Sequence, residues 1–389
     1  MGRDMQRFVR PINFLREFSI PLIAGVVCAM VWSNLSPAGY AGFVTTPLLS
    51  GATLHFISNE LFMVFFFGIA AVEITQSFMP GGDLNPIRRA INPLFATVGG
   101  VVGPVVVFFA LNVMFGSGQL GRGWGIPTAT DIALAWLAAR LAFGERHPAV
   151  SYLLVLAVVD DAIGLAIIAV FYPNPELPVS PGWLILVLTG MAVSWLLRSA
   201  RVATYWPYVL IGGVLSWSGL HNAHLHPALA LVFIIPFLPH TTGKPGRIFE
   251  YDYREVSTLA RFEHEWKVVV DFGLFIFGLA NAGVPFSGTG AVTWIILASL
   301  ILGKGGGIFF FGWLGERLGF PLPEGVHNRD LILLGIIAGT GFTVALFVAG
   351  EAFVDPVICD AAKMGAMISI AAAVLGVILA RVLKVQRRQ

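Results

Sequence analysis

The chain has 389 residues, 57% of them hydrophobic and only 12% charged, with a formal net charge of +2. Soluble domains carry about 25% charged residues, so this composition excludes a soluble globular protein and describes a polytopic membrane protein. The near-neutral balance points to no nucleic-acid partner and no acidic one.

Apolar runs of spanning length, or a little short of it, centre on 18–33, 57–79, 92–115, 123–141, 148–172 and 182–197. The second half adds 203–220, 225–238, 267–284, 291–315, 331–350 and 361–380. Since ~20 apolar residues cross the ~30 Å hydrocarbon core, these predict an all-α protein of twelve transmembrane helices. The first run lacks a clear small-x-small cleavage site and reads as a retained span. Cys28 and Cys359 fall in apolar stretches near opposite ends and are expected as free buried thiols.

The loops test that count. One alternate set holds Arg3, Arg7, Arg10, Arg16, Arg88, Arg89, Arg140, Arg146, Arg198 and Arg201. It continues with Lys244, Arg247, Arg254, Arg261, Arg317, Arg329, Arg381, Lys384, Arg387 and Arg388. The other set holds Arg122 and Lys363, while Lys267 and Lys304 fall at or within spans. The positive-inside rule then places both termini in the cytoplasm.

Two spans carry breaks in the middle. The fourth contains Gly123-Trp-Gly125-Ile-Pro127-Thr128-Ala-Thr130-Asp131. Proline removes a backbone donor there, and Thr128, Thr130 and Asp131 can bond the freed backbone groups. The eleventh contains Gly339-Thr340-Gly341-Phe-Thr343. Non-helical backbone at membrane depth is tolerated where it is buried in protein or lines a wet cavity. The span before each break is Gly-rich, with Gly99, Gly100 and Gly103 in one and Gly303, Gly305, Gly306 and Gly307 in the other. Spans three to five and ten to twelve therefore look like corresponding triplets starting on opposite sides of the membrane. That is an inverted repeat, about 92–172 and 291–380, within a single transporter domain over 1–389. Paired interrupted helices of this kind point to a transporter ion site.

The fifth span puts Asp160 and Asp161 side by side near mid-depth, where a carboxylate costs several kcal/mol. Two neighbours repel and titrate as a unit. Something must offset them: a proton, a cation or a fixed positive charge. A small hard cation favours carboxylate and carbonyl oxygens, so proton and cation compete for the same atoms. If the empty, charged site crosses poorly, that competition makes an exchanger. The half-helix ends add partial charges of roughly 0.5 each. Asp131 would offset facing N-terminal ends, and Lys304 the matching C-terminal ends.

Pro127-Thr-Ala-Thr-Asp131-Ile-Ala, Val159-Asp160-Asp161, Phe277-Gly-Leu-Ala-Asn281-Ala-Gly-Val284, Gly303-Lys304 and Gly339-Thr-Gly-Phe-Thr343 resemble the bacterial NhaA sodium/proton antiporter family, in the same order and over nearly the whole chain. The resemblance implies a secondary transporter of the bacterial inner membrane exchanging Na⁺ or Li⁺ for H⁺. It implies that Asp160 and Asp161 are the essential pair, with Asp161 the direct cation ligand, and that Asp131 and Thr130 lie at the site. Lys304 would balance the broken-helix dipoles and interact with Asp160. Glu263 and His264 would sense pH at a cytoplasmic entrance, with Glu73 and His221 as further pH-response positions. A homodimer in lipid is implied, with no cofactor, no metal beyond the transported ion and no enzymatic activity. The sequence departs from the family in Ile74-Thr75-Gln76-Ser77, where a basic-acidic run is usual, and in a short loop after the first span with few strand-forming residues.

Plainer readings stand beside these. Asp160 and Asp161 could be a structural hydrogen-bonded pair, Asp131 could serve as a helix cap, and Lys304 as a structural counter-charge. Glu263 and His264 also fit an ordinary solvated helix start. The trio His221, His224 and His226, just before Pro227, fits a polar loop better than a metal site. Among rival functions, an intramembrane aspartyl protease needs its acids on separate spans in Tyr-Asp and Gly-x-Gly-Asp contexts. A channel would show a repeated pore loop or an acidic ring. A sodium-coupled symporter of an organic acid on a related broken-helix plan is the alternative hardest to separate.

Overall fold

The computed structural model describes residues 19–47, 51–82, 84–85, 87–116, 118–173, 177–240, 257–383 and 385. The basic residues Arg3, Arg7, Arg10, Arg16, Lys244, Arg247, Arg254, Lys384, Arg387 and Arg388, on which part of the orientation argument rests, lie outside the described residues.

Among the described residues every element is a helix. In order they are α1 (Ile20–Leu35), α2 (Pro37–Thr45), α3 (Leu54–Phe78), α4 (Ile87–Phe115), α5 (Gly118–Thr128, wound as 3₁₀), α6 (Ile132–Phe143) and α7 (Pro148–Phe171). Then come α8 (Pro181–Ser199), α9 (Val214–Asn222, after a π turn), α10 (Pro227–Phe237), α11 (Thr258–Asn281), α12 (Ala291–Arg317), α13 (Asn328–Ala338), α14 (Phe342–Ala352) and α15 (Pro356–Val382).

The boundaries follow local chemistry. Proline opens α7 and α15, where its missing N–H would be unpaired in any case. The Asp355 carboxylate caps α15 by accepting from the Val357 and Ile358 N–H groups at 2.8 and 3.4 Å. Gly144, at φ +92°, ends α6 in a conformation other residues rarely adopt.

Each expected apolar run overlaps a helix, but the helices differ in kind. Among the described residues six are long and apolar enough to cross a membrane: α3, α4, α7, α8, α12 and α15. Two further pairs bend sharply at a short break, by 50° between Leu120–Thr128 and α6 and by 51° between α13 and α14. Helices α1 and α10 are apolar but shorter, and α11 carries Glu265, Lys267 and Asp271. The loop after the first run folds as helix α2. Both cysteines are free thiols, but Cys28 is exposed and Cys359 half-buried, so the expectation of burial is corrected. An apolar neighbourhood along the sequence does not say which face of a helix a thiol occupies.

The chain divides into two compact units. One comprises Met1–Val44, Ile87–Gly164 and Leu274–Gln389, the other Thr45–Pro86 and Leu165–Gly273.

In the first unit, α4 and α12 cross in backbone contact. A Cβ on Gly99 would lie 2.1 Å from the Gly307 carbonyl oxygen, and one on Gly103 would lie 2.2 Å from that of Gly303. Each helix thus presents a Gly-x₃-Gly face to the other, the arrangement that lets helices approach closely without a hydrophobic drive between them. Between those two glycines of α12, the Gly305 Cα would meet a Cβ on Gly335 of α13 at 2.7 Å. Small residues continue in the adjoining core, where Ala135, Ala138, Ala139 and Ala142 of α6 pack with Leu153, Leu156, Ile308, Leu334 and Ile337. In the second unit, Phe65 stacks on Trp266 at 3.8 Å, and the Trp217 indole donates to the Glu60 carbonyl.

Candidate ion-binding site

The two breaks are joined directly. The Asp131 N–H donates to the Thr340 carbonyl at 2.7 Å. At the first break the Thr128 hydroxyl donates to the Gly125 carbonyl at 2.7 Å, satisfying an acceptor at the end of α5. At the second, a Cβ on Gly339 would sit 2.5 Å from the Leu300 carbonyl oxygen of α12, so only glycine lets the chain pass there.

Asp131 is buried and serves two helices at once. Its Oδ1 accepts from the Leu134 N–H of α6 at 3.1 Å, as an N-cap residue does. Its Oδ2 accepts from the Thr343 N–H of α14 at 3.3 Å and from the Thr343 hydroxyl. One carboxylate therefore takes up donors at the N-termini of both half-helices.

At the opposite ends stand Thr130, Asp160 and Lys304, all fully buried. The Lys304 Nζ donates to Asp160 Oδ2 and to the Thr130 hydroxyl, each at 2.6 Å. The Thr130 hydroxyl in turn lies 2.7 Å from Asp160 Oδ2 and 3.0 Å from the Ala338 carbonyl at the end of α13, either of which can accept its proton. Asp160 Oδ1 has no hydrogen-bond partner among the described residues. Lys304 follows a π turn at Ser299–Gly303, whose extra residue re-aims the side chains after it. Asp161 is half-buried. Neighbouring residues on a helix point about 100° apart, so Asp160 faces Lys304 while Asp161 turns aside.

The remaining sequence-derived candidates fall in the second unit. Lys267 Nζ lies 3.3 Å from Glu73 Oε1 and 3.7 Å from Glu263 Oε1, and Gln76 donates to Glu263 Oε2 at 2.7 Å. Glu73 and Glu263 are thus brought together by a lysine that the motif reading left aside, although its i+4 spacing from Glu263 was a visible signal. His264 is exposed. Its neighbour Glu265 is held by Arg261 at 2.8 Å and by the Tyr205 hydroxyl at 2.5 Å, bonds that pull its carboxyl below the ordinary pKa. His221 lies on α9, stacked on Trp217 with ring centroids 4.9 Å apart. His224 sits in the loop beyond, its Nδ1 2.7 Å from the Pro178 carbonyl oxygen.

Sequence reading also left Thr343 and Ser369 without roles. Thr343 stood inside a quoted motif. Ser369 gave no signal at all, being one serine in an apolar helix.

Comparison with known proteins identifies the family of the chain. The family model described as Na+/H+ antiporter 1 matches residues 14–380. The chain is 66% identical to the Na(+)/H(+) antiporter NhaA 2 of Pelobacter propionicus, over 97% of this chain and 98% of that one. It is 64% identical to the Na(+)/H(+) antiporter NhaA of Geobacter sulfurreducens, with the same coverage of each. Among solved structures it resembles the sodium proton antiporter MjNhaP1 of Methanocaldococcus jannaschii, with a TM-score of 0.52 at 14% identity over 96% of this chain and 98% of that one, a likeness of fold. By a match over nearly its whole length, this chain belongs to the Na+/H+ antiporter 1 family.

Proposed function

We propose that the protein exchanges Na⁺ or Li⁺ for H⁺ across the bacterial inner membrane through the buried carboxylates of the first unit. The observation that carries this reading is Asp160, wholly buried, with one oxygen bound by Lys304 and Thr130 and the other without a hydrogen-bond partner among the described residues. A carboxylate there is tolerated only while compensated. Lys304 is one compensating charge; a proton or a cation shared with Asp161 is another. Loading the site with a cation competes with loading it with protons, and the bare site carries uncompensated charge that disfavours crossing. Thr130 is positioned to contribute its hydroxyl to whichever state is present.

Asp131 offsets the positive ends of α6 and α14, and Lys304 the negative ends of α5 and α13. In this reading the bent pairs are the interrupted fourth and eleventh of twelve spans, arranged as inverted repeats over about 92–172 and 291–380, with both termini cytoplasmic. The other helices form the scaffold and the contact of a homodimer in lipid, and no cofactor is needed. The cluster Glu73–Lys267–Glu263, with His264 and His221, is where cytoplasmic pH acts on the transporter.

The test is the pH gradient of everted membrane vesicles on addition of Na⁺, Li⁺ or K⁺. The wild type is expected to collapse the gradient with Na⁺ or Li⁺ and not with K⁺, and Asp161→Asn to lose the response. No collapse by wild type in respiring vesicles contradicts exchange and favours a sodium-coupled symporter. A response that survives Asp161→Asn contradicts the site.

A further inference from the structure

Helix α14 begins at the heart of the site without a cap of its own. Its N-cap position is Gly341, which has no side chain to accept from the first free N–H groups. Nor is there room for one, since a Cβ at Gly341 would meet the Ala345 Cβ at 2.9 Å and the Leu300 Cδ2 at 3.1 Å. The acceptor comes instead from α15. The fully buried Ser369 hydroxyl donates to the Ala366 carbonyl of its own helix at 2.5 Å, which directs its lone pairs outward. They accept from the Gly341 N–H at 3.1 Å and the Phe342 N–H at 3.2 Å. The next amide, that of Thr343, goes to Asp131. The free donors of this helix start are therefore divided between a side chain that belongs to the ion site and one that lies outside it.

We propose that Ser369 is a positioning residue for cation binding. From a neighbouring helix it fixes the start of α14, so that Thr343 keeps both its N–H and its hydroxyl on Asp131 when the charge on that carboxylate changes. The proposal rests on the exchange reading given above. Ser369 touches neither the cation nor the paired aspartates, so its loss acts on the affinity of the site and leaves the transport step intact.

The experiment measures Na⁺-dependent exchange against Na⁺ concentration in everted vesicles for wild type, Ser369→Ala, Ser369→Thr and Ser369→Cys, with thermal unfolding of each purified protein alongside. Ser369→Ala is expected to raise the apparent KM for Na⁺ on the order of three- to tenfold, the change that loss of one hydrogen bond produces, with maximal rate within about twofold of wild type. Threonine, which keeps the hydroxyl, is expected to return KM toward wild type. Cysteine, close in size but a weak acceptor, is expected to resemble alanine, and it carries the test if the alanine variant does not fold. An unchanged KM in folded alanine and cysteine variants overturns the positioning role alone. A fall in maximal rate with KM unchanged, tracking a fall in unfolding temperature, also overturns it by showing a purely structural hydroxyl. Absence of Na⁺-dependent exchange in the wild type overturns the exchange reading and this role with it.

Discussion

Lys304 and Asp160 are each fully buried and bonded to one another at 2.6 Å, so neither charge can be removed without stranding the other. Truncating one partner of a buried pair destabilises by about 3–5 kcal/mol, whereas replacing both by uncharged groups of similar volume is often close to neutral. Lys304→Ala is therefore expected to lower the unfolding temperature in detergent markedly. Lys304→Met and Asp160→Asn alone are expected to do the same, and the double variant Lys304→Met with Asp160→Asn is expected to recover much of that loss. Strictly additive losses across wild type, Lys304→Met, Asp160→Asn and the double variant would contradict the pairing. At this scale the acids were legible because adjacent carboxylates in an apolar run stand out against their surroundings. Their partners were less so. Thr130 lies thirty positions from Asp160, and Ser369 meets Gly341 only through packing of α15 on α14. A hydrogen bond that exists only once helices are packed leaves no local signature.

Among the helices, the crossing of α4 and α12 holds Lys304 in place. Gly99 and Gly103 face Gly307 and Gly303 with no room for a methyl group, so Gly103→Val would drive its side chain into backbone that cannot give way. Such a variant is expected to lose folded protein and exchange together. Gly306 stands on the same helix with nothing within 4 Å of an added Cβ. Gly306→Ala is expected to be neutral or stabilising by about 0.4–1 kcal/mol, since alanine favours the helix and restricts the unfolded chain. Equal losses in both variants, read as detergent-solubilised monodisperse protein, would contradict the crossing. The glycines were conspicuous in the sequence as a composition bias beside each break. Their pairing across two helices was not, because one-dimensional spacing does not state which faces meet. The breaks themselves were foreshadowed by Pro127 and by Gly339 and Gly341, each a local departure from what a helix tolerates. The length of α1 and the charges in α11 mark the limit of reading helices from hydropathy alone.

Taken whole, the molecule keeps two kinds of ionisable cluster apart in the chain. In the first unit, carboxylates are buried with a single lysine at crossing half-helices. In the second, Glu73 and Glu263 share Lys267 in half-buried surroundings. In the proposed exchange the first binds the ions and the second answers to the pH of the medium. Competition of protons and cations for the same buried oxygens is the core of the proposed exchange. Its most direct test is the apparent KM for Na⁺ measured across a pH series in proteoliposomes. Competition predicts a KM that climbs as pH falls, by about tenfold per unit for each proton displaced, while the maximal rate at saturating Na⁺ stays nearly constant. A KM that is flat with pH while the maximal rate falls would contradict competition and place the proton on a separate group.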